Sequence, residues 1–178
     1  MPDFVYDLDP VSFITVGTIG PPGRRTFYLQ ASQGSTIVSL IIEKEQAQAL
    51  AESLEQLLEA LDERYPQLPG TVQEVGYDMA LLQPVNELWR VGQMGLGYDD
   101  EADLIVLVAQ ELVFEDDESP EPEAVRFTGT REQMRALSRH ALEIVSQGRP
   151  MCPLCGNPID PQGHFCPPSN GHRQAVEL

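Results

Sequence analysis

The chain has 178 residues, with 28 Asp or Glu against 11 Lys or Arg, a formal net charge of −17 and a pI near 4.3. An apolar fraction of 42% with 22% charged residues excludes wholesale disorder, and apolar runs as short as residues 104–109 exclude a membrane-spanning helix, which takes about 20 residues. The acidity argues against phosphate-backbone binding as the main role, and Met1-Pro2-Asp3-Phe4 lacks the basic-then-apolar order of a secretion signal, so a cytoplasmic location with no membrane partner is expected.

Four β-like segments open the chain. Phe4 to Leu8 alternates weakly, and Ser12 to Gly20 carries Phe13, Ile14, Val16 and Ile19. The turn signal Gly20-Pro21-Pro22-Gly23 separates it from Arg25 to Ala31, and Gln33-Gly34 precedes Ser35 to Ile42. Branched and aromatic runs between tight breaks predict an antiparallel meander. A helix follows: Ala47, Leu50, Ala51, Leu54, Leu57, Leu58 and Leu61 make one apolar stripe, ended by Pro66 and Pro69. Residues 67–84 carry no clear period, with a partly helical stretch expected near Met79 to Leu82.

The second half repeats this plan. Glu87 to Tyr98 predicts a strand with glycine irregularities, Asp99-Asp100-Glu101 a turn, and Asp103 to Phe114 the strongest strand. Glu115 to Glu123 holds six carboxylates and two prolines, which repel one another and suit neither ladder nor helix, so an exposed acidic loop is expected. Ala124 to Thr128 predicts a short strand. Thr130 and Gln133 fit a capping box for a helix that turns Met134, Leu137, Ala141, Ile144 and Val145 inward and stops at Gly148.

Val16-Gly17-Thr18-Ile19-Gly20 is echoed by Val91-Gly92-Gln93-Met94-Gly95, and strands and then an amphipathic helix follow each. The expectation is an α+β body over residues 1–149, made of two βββα-type units at about 4–65 and 87–148. Its sheet would be mainly antiparallel, or a partly open barrel, with two packed helices. The charge is uneven: residues 1–123 hold 24 acidic and 5 basic residues, whereas 124–178 hold 4 acidic and 6 basic. Nucleic acid is therefore an unsuitable partner for the acidic body, and binding through the basic C-terminal part is the weakest reading.

Residues 150–178 form a separate segment, because all three cysteines and two of the three histidines fall within Cys152 to His172. Cys152 and Cys155, two residues apart and followed by Gly156, fit a zinc knuckle or ribbon. The remaining corners of the tetrahedron fall to His164 with Cys166 or to Cys166 with His172. His164 follows Gly163 in a turn-like context close to the third cysteine. A disulfide framework fits poorly with an odd cysteine count, and a thioredoxin-like pair would follow a strand and begin a helix. Four protein ligands make the expected Zn²⁺ structural, one per chain. It would stabilise a segment whose six prolines and short length cannot build a core.

VGTIG, RTFYLQA, the helix headed by Glu43-Lys44, RVGQMGLGYD and CPLCGNPIDPQGHFCPPSNGHR together resemble a bacterial family known as domain of unknown function 3090. The resemblance runs from about Val5 to Arg173. Its tail pattern of CPxC, GHxC and NG often has an aromatic residue where His172 stands. The resemblance thus implies Cys152, Cys155, His164 and Cys166 as metal ligands and implies no reaction.

Other chemistry is thinner. His140 lies at the edge of the second helix stripe, as a partly buried structural histidine does. Gly92, Gly95 and Gly97 lack the Lys-Ser/Thr and helix start of a phosphate loop and fit a bulge or sheet curvature. The expected function is a binding or adaptor module for another protein, with no catalytic residues assigned. The alternative is an enzyme with a carboxylate- and arginine-lined site between the two units, drawing on Arg24, Arg25, Arg90 and Arg126.

Overall fold

The computed structural model describes residues 3–21, 23–66, 78–114 and 121–147. Branched residues at alternate positions build three strands in the first unit: β2 (Phe13–Ile19), β3 (Thr26–Gln33) and β4 (Thr36–Ile42). Between β3 and β4, Gly34 takes a φ of 60°, and the two-residue turn Gly34-Ser35 brings Gln33 opposite Thr36. Helix α1 (Lys44–Arg64) follows at once, its N-terminus closed by a Glu43/Gln46 capping box. The second unit runs β5 (Glu87–Asp99), β6 (Leu104–Glu111), β7 (Ala124–Thr130) and α2 (Arg131–Ser146), and α2 starts at the expected Thr130/Gln133 box. A short strand β1 (Tyr6–Leu8) precedes both units.

The seven strands form one mixed sheet in the order β1-β7-β6-β5-β4-β3-β2. Each unit is an antiparallel meander, and the two are joined by a parallel β4–β5 pairing. β1 does not extend the first meander, as its sequence position suggested. It lies parallel to β7, with Tyr6 opposite Val125 and Leu8 opposite Phe127. The sheet curls until its two ends meet at one linker. There the Val11 amide donates to the Thr128 carbonyl of β7 (2.8 Å), and the next amide, Ser12, donates to the Ser32 carbonyl of β3 (2.7 Å).

The predicted helix stripes face inward. Ala47, Leu50, Ala51, Leu54, Leu58 and Leu61 of α1 and Met134, Leu137 and Ala141 of α2 are buried with Leu29, Leu40, Ile105, Leu107 and Phe127 of the strands. The helices pack on each other, and Ser138 Oγ donates to the Ala51 carbonyl across their contact (2.9 Å). The capping glutamines also tie each helix to the opposite unit. Gln46 Nε2 donates to the Val91 carbonyl (3.1 Å), and Gln133 Nε2 donates to the Val11 carbonyl (3.0 Å).

Residues 78–83 are not helical, contrary to the expectation near Met79 to Leu82. They lie as irregular chain over the face of β2 and β3 that points away from the helices. The reason is hydrogen bonding to the sheet. Thr15 Oγ1 donates to the Met79 carbonyl (2.6 Å), Gln30 Oε1 accepts from the Leu82 amide (2.7 Å), and Gln30 Nε2 donates to the Leu82 carbonyl (3.0 Å). These bonds satisfy polar side chains that are fully buried, which would otherwise cost about 1–3 kcal/mol each.

The five-residue echo is not a structural equivalence. Gly17 stands two residues before the last pair of its hairpin, Ile19 with Thr26, whereas Gly92 stands seven before Asp99 with Leu104. The two glycines answer different constraints. A Cβ on Gly17 would lie 2.5 Å from Leu81 Cγ, whereas one on Gly92 would lie 2.9 Å from Leu112 Cα. The bulge expected among the glycines falls beside Gly92, between Val91 and Gln93.

Candidate functional site

The four metal ligands expected from the sequence, Cys152, Cys155, His164 and Cys166, and the alternative His172, lie outside the described residues. So do residues 115–120 of the acidic run. Among the described residues no group of three or more His, Cys, Asp or Glu side chains is placed to hold a metal ion.

The arginines invoked for a site between the units do not converge. Arg25, at the start of β3, donates to the Ile144 carbonyl near the end of α2 (3.1 Å) and lies over the Phe27 ring. Arg90 pairs with Glu43 (2.5 Å), and Arg126 pairs with Asp7 while covering the Phe4 ring. Arg24 sits in the exposed β2–β3 loop. A hollow of about 360 Å³ does open between the units, where α1 passes β5. Gln46, Ala49, Leu50 and Ser53 face Met94 and Leu96 across it, and the hollow has no charged lining residue among those described.

A second hollow, of about 510 Å³, lies where α2 passes the end of β2, with Thr18, Asp78, Gln83, His140 and Ile144 on its wall. His140 reaches it because the helix stripe turns this residue to the boundary between core and solvent. Burial lowers its pKa below the usual 6.5, against smaller upward pulls from the Glu143 carboxylate and a hydrogen bond to the Val16 backbone. The imidazole is therefore neutral near pH 7. Beside the imidazole, the described lining presents the Thr18 hydroxyl, the Asp78 carboxylate and the Gln83 amide as hydrogen-bonding groups.

The densest polar cluster was not singled out in the sequence. Arg131, the first residue of α2, has only 3% of its side chain exposed. Its Nε donates to Asp103 Oδ1 (2.8 Å), Nη1 to the Tyr65 carbonyl (2.8 Å) and Nη2 to the Tyr98 hydroxyl (3.2 Å). The Tyr98 hydroxyl donates to Asp103 (2.6 Å), and that bond pushes its pKa up. Arg135 and Asp62 extend the cluster (2.7 Å). The donors of the guanidinium are taken up by α1, β5 and the β5–β6 turn, so this is a clamp between elements. A signal existed in Arg131 following directly on the Thr130 cap, where the helix dipole disfavours a cation unless something else holds it.

Exposed apolar side chains stand at the other end of the β5–β6 pair. The Leu112 amide donates to the Arg90 carbonyl (2.7 Å); Leu112, Val113 and Phe114 follow β6, and Leu88 lies near the start of β5. All four are exposed, Phe114 at 70%. The chain runs from Phe114 directly into the acidic residues 115–123.

A family model described as "Protein of unknown function (DUF3090)" matches residues 6–166. The match therefore takes in Cys152, Cys155, His164 and Cys166 and stops short of His172. No curated protein and no solved structure matches the chain.

Proposed function

The chain belongs to the DUF3090 family of proteins of unknown function, and from that membership and the geometry of its surface we propose that it is a non-catalytic binding or adaptor module for another protein. The observation that carries this reading is the exposure of Leu88, Leu112, Val113 and Phe114 at one end of the β5–β6 pair. Apolar side chains gathered in one place on a surface mark interaction sites, because covering them releases ordered water. The six carboxylates at 115–123 that follow Phe114 in sequence favour a partner with an apolar centre and basic edges. The separate engagements of Arg25 with a backbone carbonyl, Arg90 with Glu43 and Arg126 with Asp7 support binding over catalysis, since each guanidinium serves packing at a different place.

The C-terminal segment completes the reading. Three thiolates and one imidazole are a donor set suited to tetrahedral Zn²⁺, and a filled shell leaves no open position for substrate. Cys152, Cys155, His164 and Cys166 would hold the ion, and the ion would fold a segment too proline-rich to fold alone.

Capture of partners from a lysate of the native host by the full-length protein and by Phe114→Asp tests the reading. A specific protein should be retained by the first and lost with the second, while metal analysis should return about one zinc per chain in both. Equal capture by both proteins would overturn the assigned surface, and a folded, metal-free preparation would overturn the zinc.

A further inference from the structure

We propose that the outer face of β2 and β3, the face turned away from the helices, is a peptide-binding groove held shut by residues 78–83, and that a short leucine-bearing segment of a partner protein takes their place. The face is built to hold main chain. The Gln30 side-chain amide pairs with both main-chain groups of one residue: its Oε1 accepts from the Leu82 amide (2.7 Å), and its Nε2 donates to the Leu82 carbonyl (3.0 Å). Nε2 also donates to Ser39 Oγ (3.1 Å), which fixes the plane of the amide. Three residues before Leu82, the Met79 carbonyl accepts from Thr15 Oγ1 (2.6 Å). Between these two anchor points Gly17 leaves out a side chain, and Leu81 takes the space: a Cβ on Gly17 would lie 2.5 Å from Leu81 Cγ. Main-chain bonds accept any sequence, and the pocket over Gly17 adds the selection for leucine.

Nothing in the hairpin itself asks for this equipment. Counted from the last pair of each hairpin, Thr15 opposite Gln30 corresponds to Gly95 opposite Val108 in the second unit. Among the described residues that counterpart face is open. A Cβ on Gly95 or Gly97 would meet nothing within 4 Å, and Val108 is half-buried. The same meander thus forms with a glycine and a valine where the first unit keeps two fully buried polar side chains. A threonine and a glutamine so placed favour the folded state only while a peptide is bonded to them, because a buried polar group without a partner is costly.

Residues 78–83 have the character of a replaceable occupant. They join no strand of the sheet. Asp78, Ala80, Leu82 and Gln83 are exposed, and Met79 and Leu81 turn only partly inward. One flank is not sealed: the hollow of about 510 Å³ separates Asp78, Ala80 and Gln83 from His140 and Ile144 of α2. A segment held by few contacts over a packed sheet opens at a lower free energy than the sheet beneath it. An incoming peptide competes with an occupant tethered to the same chain, so binding is weak while residues 78–83 are in place and tightens when they are loosened. The groove shares no residue with the surface around Phe114, and neither assignment depends on the other.

Titration with a fluorescent heptapeptide tests the groove. The peptide copies Asp78 to Pro84 and is added to the full-length protein and to full-length Leu81→Gly, in which the occupant is weakened, with anisotropy as the readout. Leu81→Gly should bind it about tenfold more tightly, or better, than the native protein does. A second peptide, with aspartate in place of the leucine that copies Leu81, should bind Leu81→Gly about tenfold more weakly than the first. Equal affinity of the two proteins, equal affinity of the two peptides, or no binding to a folded Leu81→Gly protein would overturn the inference. Hydrogen exchange of the native protein gives a measurement that needs no variant. The Leu82 amide should exchange about a hundredfold faster than those of Leu29 and Leu40 in the strands beneath. Exchange of Leu82 in step with Leu29 would mean that residues 78–83 leave the sheet only when the whole protein unfolds, and would overturn the inference as well.

Discussion

The carbonyl oxygen of Tyr65, at the end of α1, accepts a 2.8 Å hydrogen bond from Arg131, the first residue of α2. One side chain thus ties the end of the first unit to the start of the last helix, and it holds Tyr98 and Asp103 of the β5–β6 hairpin as well.

Replacing Arg131 with Ala should lower unfolding free energy by about 2–3 kcal/mol, since it removes charge-assisted bonds and leaves the Tyr65 carbonyl without its donor. Asp103→Ala should cost less, about 1 kcal/mol, because Asp103 is half exposed and water replaces its bonds. Arg131→Lys should recover only part of the loss, as an ammonium cannot reach three partners in a plane. Urea unfolding of the three variants checks the order, and an Asp103→Ala loss equal to that of Arg131→Ala would refute it.

His140 makes stability depend on pH in a defined direction. Its folded pKa lies below 6.5, so between that value and 6.5 the unfolded chain binds more protons than the folded one. Its contribution to stability is complete above about pH 6.5 and declines as pH falls toward the folded pKa. The difference in urea midpoint between the native protein and His140→Gln should therefore shrink on going from pH 7.5 to pH 5.5. A difference that grows on acidification would show that the imidazole is held charged.

Gly17 and Leu81 should be coupled. Gly17→Ala puts a methyl group 2.5 Å from Leu81 Cγ and should cost about 1–3 kcal/mol through overpacking. With Leu81→Ala the space is open, so the double variant should lose less than the two single losses combined. Additive losses in a thermodynamic cycle would mean that residues 78–83 do not press on β2.

For the C-terminal segment, His164→Asn should release zinc on dialysis against a moderate chelator, whereas His172→Asn should retain about one zinc per chain. Metal analysis after dialysis separates them, and the reverse pattern would move the fourth ligand to His172.

Much of the architecture was legible because it rests on local periodicity. The stripe from Ala47 to Leu61, the box at Thr130 and Gln133, and the turn at Gly34, one residue on from the expected Gln33-Gly34, each follow from residues near one another in sequence. Residues 78–83 were misread because Met79, Leu81 and Leu82 resemble part of a helix, while the bonds that decide their conformation come from Thr15 and Gln30, some 50 to 65 positions away. Arg131 was passed over for the same reason. Its acceptors, Tyr65, Tyr98 and Asp103, are remote in sequence and share no motif.

The amino-acid sequence by itself determined which segments are strands and helices, the inward face of each helix and the concentration of all three cysteines in residues 152–166. Hydrophobic period, capping chemistry and metal-ligand spacing are properties of neighbouring residues. Only the tertiary structure decided that β4 and β5 run parallel, that β1 joins β7, that the sheet ends meet at Val11 and Ser12, and that one hairpin face is covered while its counterpart is open. Those outcomes depend on which remote backbone groups and side chains pair, and several pairings satisfy the same local pattern until packing selects one.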